Sequence, residues 1–334
     1  VPECTADRGG GINVARPKRK ELLKAFLQGD FDDVIGPPTL TEQRAVPPHP
    51  ERVAGGCGQP DRCDLTLLTV TYNGLATLPE TLLSVRAAMA AAQSDGLSVE
   101  YIVVDGRSPD GTLDLLQEHA EWIHLFISEP DRGMYDAVNK GLALARGAVV
   151  HLVNADDPVP EGALQAGMRP FRDGISPDVL VKGDLQVMGP NGAAQERLTR
   201  FNRAPQLPKG FPLLHPSWFV PLALYEKYGL YRTDFFISAD KEYFYRALRA
   251  GVEVVHVDEV LGSFSTGGMS ADTTALFEVL CIEGRYLGRR RAASNFVRMV
   301  AKKKRRVLLE KVLGEDAEGK LRTQWHQWRT GARG

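Results

Sequence analysis

The stretch AVVHLVNADD, residues 148–157, decides how the chain is organised. Val149, Val150, Leu152 and Val153 surround one histidine, His151, and the apolar run ends abruptly in Asn154-Ala-Asp156-Asp157. Such a run reads as a buried strand. Open parallel sheets bind ligands beyond the carboxyl ends of their strands, and adjacent carboxylates there suit a hard divalent cation held against diphosphate oxygens. Asp156 and Asp157 are therefore a candidate metal-nucleotide site; the plainer alternative is that they open a turn before Pro158.

Upstream, the same texture repeats. LTLLTVTYN (65–73) reads as a strand, and Thr77-Leu-Pro-Glu80 as a capping box that starts a helix with Leu78, Leu82, Val85 and Met89 on one face. VEYIVVD (99–105) is a second strand ending in an acid, Ser108-Pro-Asp-Gly111 turns into a helix carrying Leu113, Leu115 and Leu116, and WIHLFIS (122–128) is a third strand. A helix from about Met134 to Ala145 stops near Gly147 before the fourth strand. Strands alternating with helices build a parallel sheet with right-handed crossovers. The expected fold class is α/β: a nucleotide-binding sheet, then a mixed half. In that half VLVKGDLQVMG (179–189), an Asn191-Gly192 turn and AAQERLTRF suggest a hairpin. Helices are expected near Leu222 to Tyr228 and Ala239 to Arg249, then a strand VEVVHV, a loop Gly267-Gly-Met-Ser270 and one long helical stretch from about Thr273. The expected organisation is an extension over residues 1–62, a catalytic-type domain over 63–270, and a helical basic extension over 271–334. The first of these carries one short helical pattern, Lys18 to Gln28, and is expected to wrap the core or to be partly disordered.

The 334 residues are 43% hydrophobic and 25% charged, enough to bury a large core. Lys+Arg 41 against Asp+Glu 42 gives a net charge of -1, so no global field argues for nucleic acid. Ten Lys or Arg and no acid lie between Arg285 and Arg306, however. Four cysteines without a CxxC pair make a reducing cytoplasm the expected setting, with a Cys57–Cys63 bridge left open. No run approaches the length of a membrane span, and the first residues lack a signal pattern.

TVTYN (69–73), VVDGRSPDGT (103–112), SEPDRGMYDAVNKGLALARG (128–147), HLVNADD (151–157), HPS (215–217), ISADKEYFYR (237–246) and GGMS (267–270) together resemble glycosyltransferase family 2. The likeness is to its inverting, metal-dependent members of GT-A fold that build bacterial surface polysaccharides, and the ordered series covers about residues 64 to 270. The resemblance implies that Asp105 accepts a hydrogen bond from the nucleobase while Thr71 and Tyr72 line the same pocket. Gly106 and Arg107 depart from the family, which commonly has a second acid and a small residue there. Asp131-Arg132-Gly133 would reach across the donor, with Arg132 pairing to phosphate. Asp136, Asn139 and Lys140 share a helix face, either lining the cleft or solvated.

Asn154-Ala-Asp156 stands where the family has its DXD motif, so Mg²⁺ or Mn²⁺ would rest mainly on Asp156 and Asp157, with Asn154 toward the donor. Asp240 occupies the position of the catalytic base, with Glu242 as the competing carboxylate. His215 either contacts metal or diphosphate or is structural. The implied activity transfers a sugar, from a UDP-sugar first, to a glycan or lipid-linked acceptor. A nucleotidyltransferase and a catalytically silent glycan- or membrane-binding protein are the rival readings. Phe296, Val297, Val300, Val307 and Leu308 among the basic residues of 285–309 suit a helix on an anionic membrane surface, a solvated charged helix or a protein-contact arm. The first would make this a cytoplasmic protein peripheral to the inner face of the cell membrane.

Overall fold

The computed structural model describes residues 19–28, 38–173, 178–189, 194–198, 215–265 and 274–313. These fall into two compact units, one of residues 38–265 and one of residues 19–28 with 274–313. Helix α1 (Arg19–Gln28) belongs to the second unit.

The first unit begins with α2 (Leu40–Arg44) and β1 (Val53–Gly55), then β2 (Cys63–Thr71), α3 (Leu78–Ser94), β3 (Val99–Asp105), α4 (Thr112–Glu118), β4 (Leu125–Ser128), α5 (Met134–Leu144) and β5 (Gly147–Leu152). It continues with α6 (Ala163–Arg172), β6 (Val179–Met188), β7 (Ala194–Leu198), β8 (Trp218–Pro221), α7 (Leu222–Tyr228), α8 (Ala239–Arg249) and β9 (Glu253–Ser265). The sheet order is β1-β4-β3-β2-β5-β8-β6-β7, with β9 on the other edge of β6. β2 to β5 are mutually parallel, whereas β8 runs antiparallel to both β5 and β6. The expected nucleotide-binding half and mixed half are both present.

Strand periodicity separates two cores. In β3, Val99, Tyr101 and Val103 join α3, α4 and α6 on one face, and Ile102 and Val104 join α5, α7 and α8 on the other. Chain order reverses between β2 and β5, since β3 and β4 lie to one side of β2 and β5 to the other. Such a switch point opens a crevice at the strand ends, here Thr71, Asp105, Ser128 and Leu152.

Two local expectations differ. Thr77 makes no side-chain cap; the chain enters α3 through a turn in which the Thr77 and Leu78 amides donate to Gly74 O. The capping box is instead at Thr39, whose hydroxyl accepts from the Glu42 amide while Glu42 accepts from the Thr39 amide. Residues 38–62 hold a strand that no signal in the sequence marks: β1 pairs antiparallel with β4, Val53 opposite Ser128, and adds an edge strand. Cys57 and Cys63 are free thiols. β6 and β7 form the expected antiparallel pair. The Asn191-Gly192 turn and the Gly267 to Ser270 loop lie outside the described residues.

The second unit packs α1 against α9 (Thr274–Leu287), and α9 against α10 (Arg289–Leu313). The single helix expected after Thr273 is broken at Gly288, whose φ of 86° is the left-handed conformation that ends helices. Phe26, Leu280, Cys281 and Ala292 form its core. No helix among the described residues is long and apolar enough to cross a membrane.

Candidate active site

The loop after β2 is pinned to the loop after β3. Backbone amides of Asn73, Gly74 and Leu75 donate to Ser108 Oγ (2.8 Å), Thr112 Oγ1 (3.0 Å) and Asp110 Oδ2 (3.0 Å). Asp105 is fully buried, and its carboxylate accepts from the Ser108 amide (3.0 Å), Ser108 Oγ (2.5 Å) and Ser128 Oγ (2.5 Å). Through Ser108 it therefore fixes Asn73 and the 64% exposed ring of Tyr72 beside it. Thr71 is buried behind them.

A second carboxylate faces the same ring. Asp131 Oδ1 accepts from the Gly133 amide (2.8 Å), while Oδ2 carries no hydrogen bond among the described residues. Burial raises its carboxyl pKa, against the Gly133 hydrogen bond and with repulsion from Asp136. A Cβ on Gly106 would sit 2.5 Å from Asp131 Oδ2 and 3.3 Å from the Tyr72 ring. The departure from a second acid at 106 thus makes room for Asp131 to reach the pocket. Nothing in the local sequence distinguishes the two acids; the Ser108 and Ser128 hydroxyls do.

Behind this edge runs a chain of alternating charge. Arg52 Nε lies 2.5 Å from Glu129 Oε2, Lys140 Nζ 2.9 Å from Glu129 Oε1 and 3.4 Å from Asp136 Oδ2, and Arg132 Nη2 2.9 Å from Asp136 Oδ1. Burial opposes ionisation of Glu129, but hydrogen bonds from Arg52 and Lys140 outweigh it and lower its pKa. Arg107 pairs with Glu51. Asp136 and Lys140 are thus largely buried and committed to ion pairs, and Asn139 clasps the Tyr231 backbone, Nδ2 to Tyr231 O at 2.7 Å and Oδ1 from Tyr231 N at 3.0 Å. Arg132, at the exposed end of the chain of charges, is folded onto Asp136 in the first turn of α5.

At the end of β5 the acids divide. Asp157 is buried, its two oxygens taken by Asn154 Nδ2 (2.6 Å) and the Ser265 amide (2.6 Å), and burial followed by the charge of Asp156 raises its pKa. Asp156 is exposed, its carboxylate pairs with no other residue among those described, and burial raises its pKa against a hydrogen bond from its own amide. Among the described residues no group of three or more His, Cys, Asp or Glu side chains is arranged to hold a metal ion. One uncommitted carboxylate at a strand end fits a cation whose remaining ligands are diphosphate and water oxygens.

His215 joins this end to α8. Its Nε2 is 3.2 Å from Asn154 Oδ1, and its Nδ1 is 3.5 Å from Asp240 Oδ2. Asp240 Oδ1 accepts from the Lys241 amide (2.7 Å) and from Tyr135 Oη (3.1 Å), which also lies 2.8 Å from Ile237 O. Tyr135 is fixed by Tyr231, ring centroids 5.5 Å apart, in a tyrosine layer with Tyr225 and Tyr243. Glu242, the competing carboxylate, is 2% exposed and turned to Arg246, Oε2 to Nη2 at 3.0 Å. Asp240, His215, Asn154, Tyr135 and Tyr231 line one pocket with Leu68, Val70, Met134, Leu152 and Val153; its empty space, open mouth included, is about 300 Å³.

A doubly covered sheet with an exposed aromatic, an uncommitted acid after a strand end and an opposed helix acid gathers its chemistry-bearing side chains at one switch-point crevice. Residues 66–217 match the glycosyl transferase family 2 model, and the chain belongs to that family. It is 32% identical over 216 residues to an uncharacterized glycosyltransferase of Mycobacterium tuberculosis, covering 62% of this chain and 77% of that one. It is 29% identical over 214 residues to a PGL/p-HBAD biosynthesis glycosyltransferase of Mycobacterium bovis, covering 61% and 78%. Among solved structures it is similar to TarS of S. aureus in complex with UDP-GlcNAc, with a TM-score of 0.53, 16% identity, and coverage of 66% of this chain and 65% of that one. The fold is accordingly that of the GT-A glycosyltransferases, and the chain is a glycosyltransferase.

Proposed function

We propose that this glycosyltransferase inverts the sugar it transfers, takes a UDP-sugar first among nucleotide donors, and depends on Mg²⁺ or Mn²⁺. Its acceptor in this reading is a glycan or a lipid-linked sugar of a surface polysaccharide or glycolipid, met at the inner face of the cell membrane. The observation that carries the reading is that one imidazole, His215, touches both Asn154 at the donor strand end and Asp240 on α8.

Tyr72 offers its ring for stacking on the base, and Asp131 Oδ2 is the free acceptor for a ring N–H such as that of uracil. Asp105 acts behind them by holding Ser108 and the Tyr72 loop. Arg132 turns from Asp136 to the diphosphate as a bidentate donor, and Asp136 keeps Lys140 as its counter-charge. Asp156 holds the cation. Bound there, Mg²⁺ or Mn²⁺ supplies positive charge to the leaving nucleoside diphosphate.

Asp240 Oδ2 accepts the proton of the acceptor hydroxyl as that oxygen attacks the anomeric carbon opposite the diphosphate. The hydrogen-bond order explains how the proton is kept. Asn154 gives its amide N–H to Asp157, which leaves Oδ1 to accept from His215 Nε2. In the neutral ring the lone pair is then on Nδ1, facing Asp240 Oδ2. A proton arriving on Oδ2 faces that lone pair from 3.5 Å.

The test is nucleoside diphosphate release across a panel of donors, with and without EDTA. Release from one donor, abolished by EDTA and restored by Mg²⁺ or Mn²⁺, is the expected result. Wild-type rates from Asp156→Ala, or rates indifferent to EDTA, would reject the metal assignment.

A further inference from the structure

The second unit carries a surface that neither its own core nor the chemistry of transfer explains. Helix α1 is apolar on two faces. Leu22 and Phe26, four residues apart, pack into the core of α9 and α10, and Arg289 Nη1 of α10 donates to Leu27 O at 3.1 Å, closing the end of the helix. The other face presents Lys20, Leu23, Lys24 and Leu27, whose spacing puts them on one stripe, and all four are exposed, Leu23 at 39% and Leu27 at 64%. Two leucines thus alternate with two lysines on an outward face, away from the core of the unit.

Helix α10 repeats the pattern from the opposite end of the chain. Arg290, Val297 and Lys304 fall on one stripe and are exposed, Val297 at 65%. Two of the three acids whose side chains are described in this unit are withdrawn from the surface: Glu278 and Glu283 are buried, at 0% and 1%, Glu283 accepting from Asn295 Nδ2 at 2.8 Å. Among the residues whose side chains are described in this unit, Glu21 is the one exposed acid.

We infer that α1 and α10 together form a docking surface for an anionic lipid bilayer, with Leu23, Leu27 and Val297 entering the headgroup boundary and Lys20, Lys24, Arg290 and Lys304 pairing with lipid phosphates. Charge complementarity selects this occupant: basic side chains gain from a negative surface potential, and apolar residues interleaved with them gain only where that surface has an acyl boundary beneath it. A duplex nucleic acid would use the lysines and arginines but leave the leucines without a role. The inference rests on the reading of an acceptor at the membrane face, and gives that reading a physical anchor in which the N-terminal helix is as necessary as the basic C-terminal one.

The experiment is flotation of the full chain with vesicles of phosphatidylcholine alone and of phosphatidylcholine mixed with phosphatidylglycerol, in low and high salt. The chain is expected to float with the mixed vesicles only, and high salt to weaken the association. The double variant Leu23→Asp, Leu27→Asp should bind the mixed vesicles at least about tenfold more weakly. It should keep its unfolding temperature and its nucleoside diphosphate release, because both positions are exposed and distant in sequence from the catalytic residues. No flotation of the wild type, equal flotation with phosphatidylcholine alone, wild-type binding by the double variant, or displacement by duplex DNA at equal charge would each overturn the inference. Failure of donor turnover in every form, with lipid binding intact, would instead count against the proposed chemistry.

Discussion

Replacing Arg52 by alanine strips one of two cations from Glu129, a carboxylate that is 2% exposed. Lys140 remains at 2.9 Å, so the cost falls below the roughly 3–5 kcal/mol of leaving a buried charge alone and near that of one charged hydrogen bond, about 2 kcal/mol. In a unit of this size that corresponds to a fall of about 4–8 °C in unfolding temperature. The pH dependence has a definite sign. Glu129 has a lowered pKa, so its stabilisation is present above the unfolded carboxyl range and lost as pH falls through the folded value. Without Arg52 that loss begins at higher pH. The assay is thermal and urea unfolding of wild type, Arg52→Ala, Glu129→Gln and the double variant. In the Glu129→Gln background Arg52→Ala should cost less than about 0.5 kcal/mol, because its partner charge is already gone. Because the alternating charges run on to Arg132, the KM for the donor should also rise in Arg52→Ala. Strictly additive costs, or an unchanged unfolding temperature, would refute the coupling.

His151 is buried against the Phe219 ring, centroids 4.2 Å apart, and burial lowers its pKa to about 4. The unfolded chain takes up this proton first, so stability on the order of 3 kcal/mol is present above pH 6.5 and lost between about 6.5 and 4; acid unfolding of His151→Gln should lack that limb. Gly106→Ala places a methyl 2.5 Å from Asp131 Oδ2, and should raise the KM for the donor about tenfold while leaving kcat within about twofold, as read from initial rates.

The nucleotide half was legible because its signals are local. VEYIVVD and AVVHLVNADD are apolar runs that end in polar residues, and a buried parallel sheet needs nothing more to place those ends at a crevice. Gly288 was missed because apolar spacing continues across it, although a glycine near the end of a periodic stretch is itself a stop signal. The pairing of Arg52 with Glu129 spans 77 residues and follows no period, so residues 38–62 looked featureless. His215 illustrates the same limit. Beside aromatics it reads as structural, and only the meeting of β5, the His215–Ser217 turn and α8 puts its two nitrogens against Asn154 and Asp240. The two acids after β5 were indistinguishable until Ser265, 108 residues on, claimed Asp157 and left Asp156 uncommitted.

The central claim is that Asp240 receives the acceptor proton in the cleft where the donor is held. Its most direct measurement is nucleoside diphosphate release by Asp240→Asn, alongside donor binding by calorimetry. The amide fills the same space but takes no proton, so release should fall by about 10²–10⁴ with donor affinity unchanged. Wild-type release from Asp240→Asn would contradict the account.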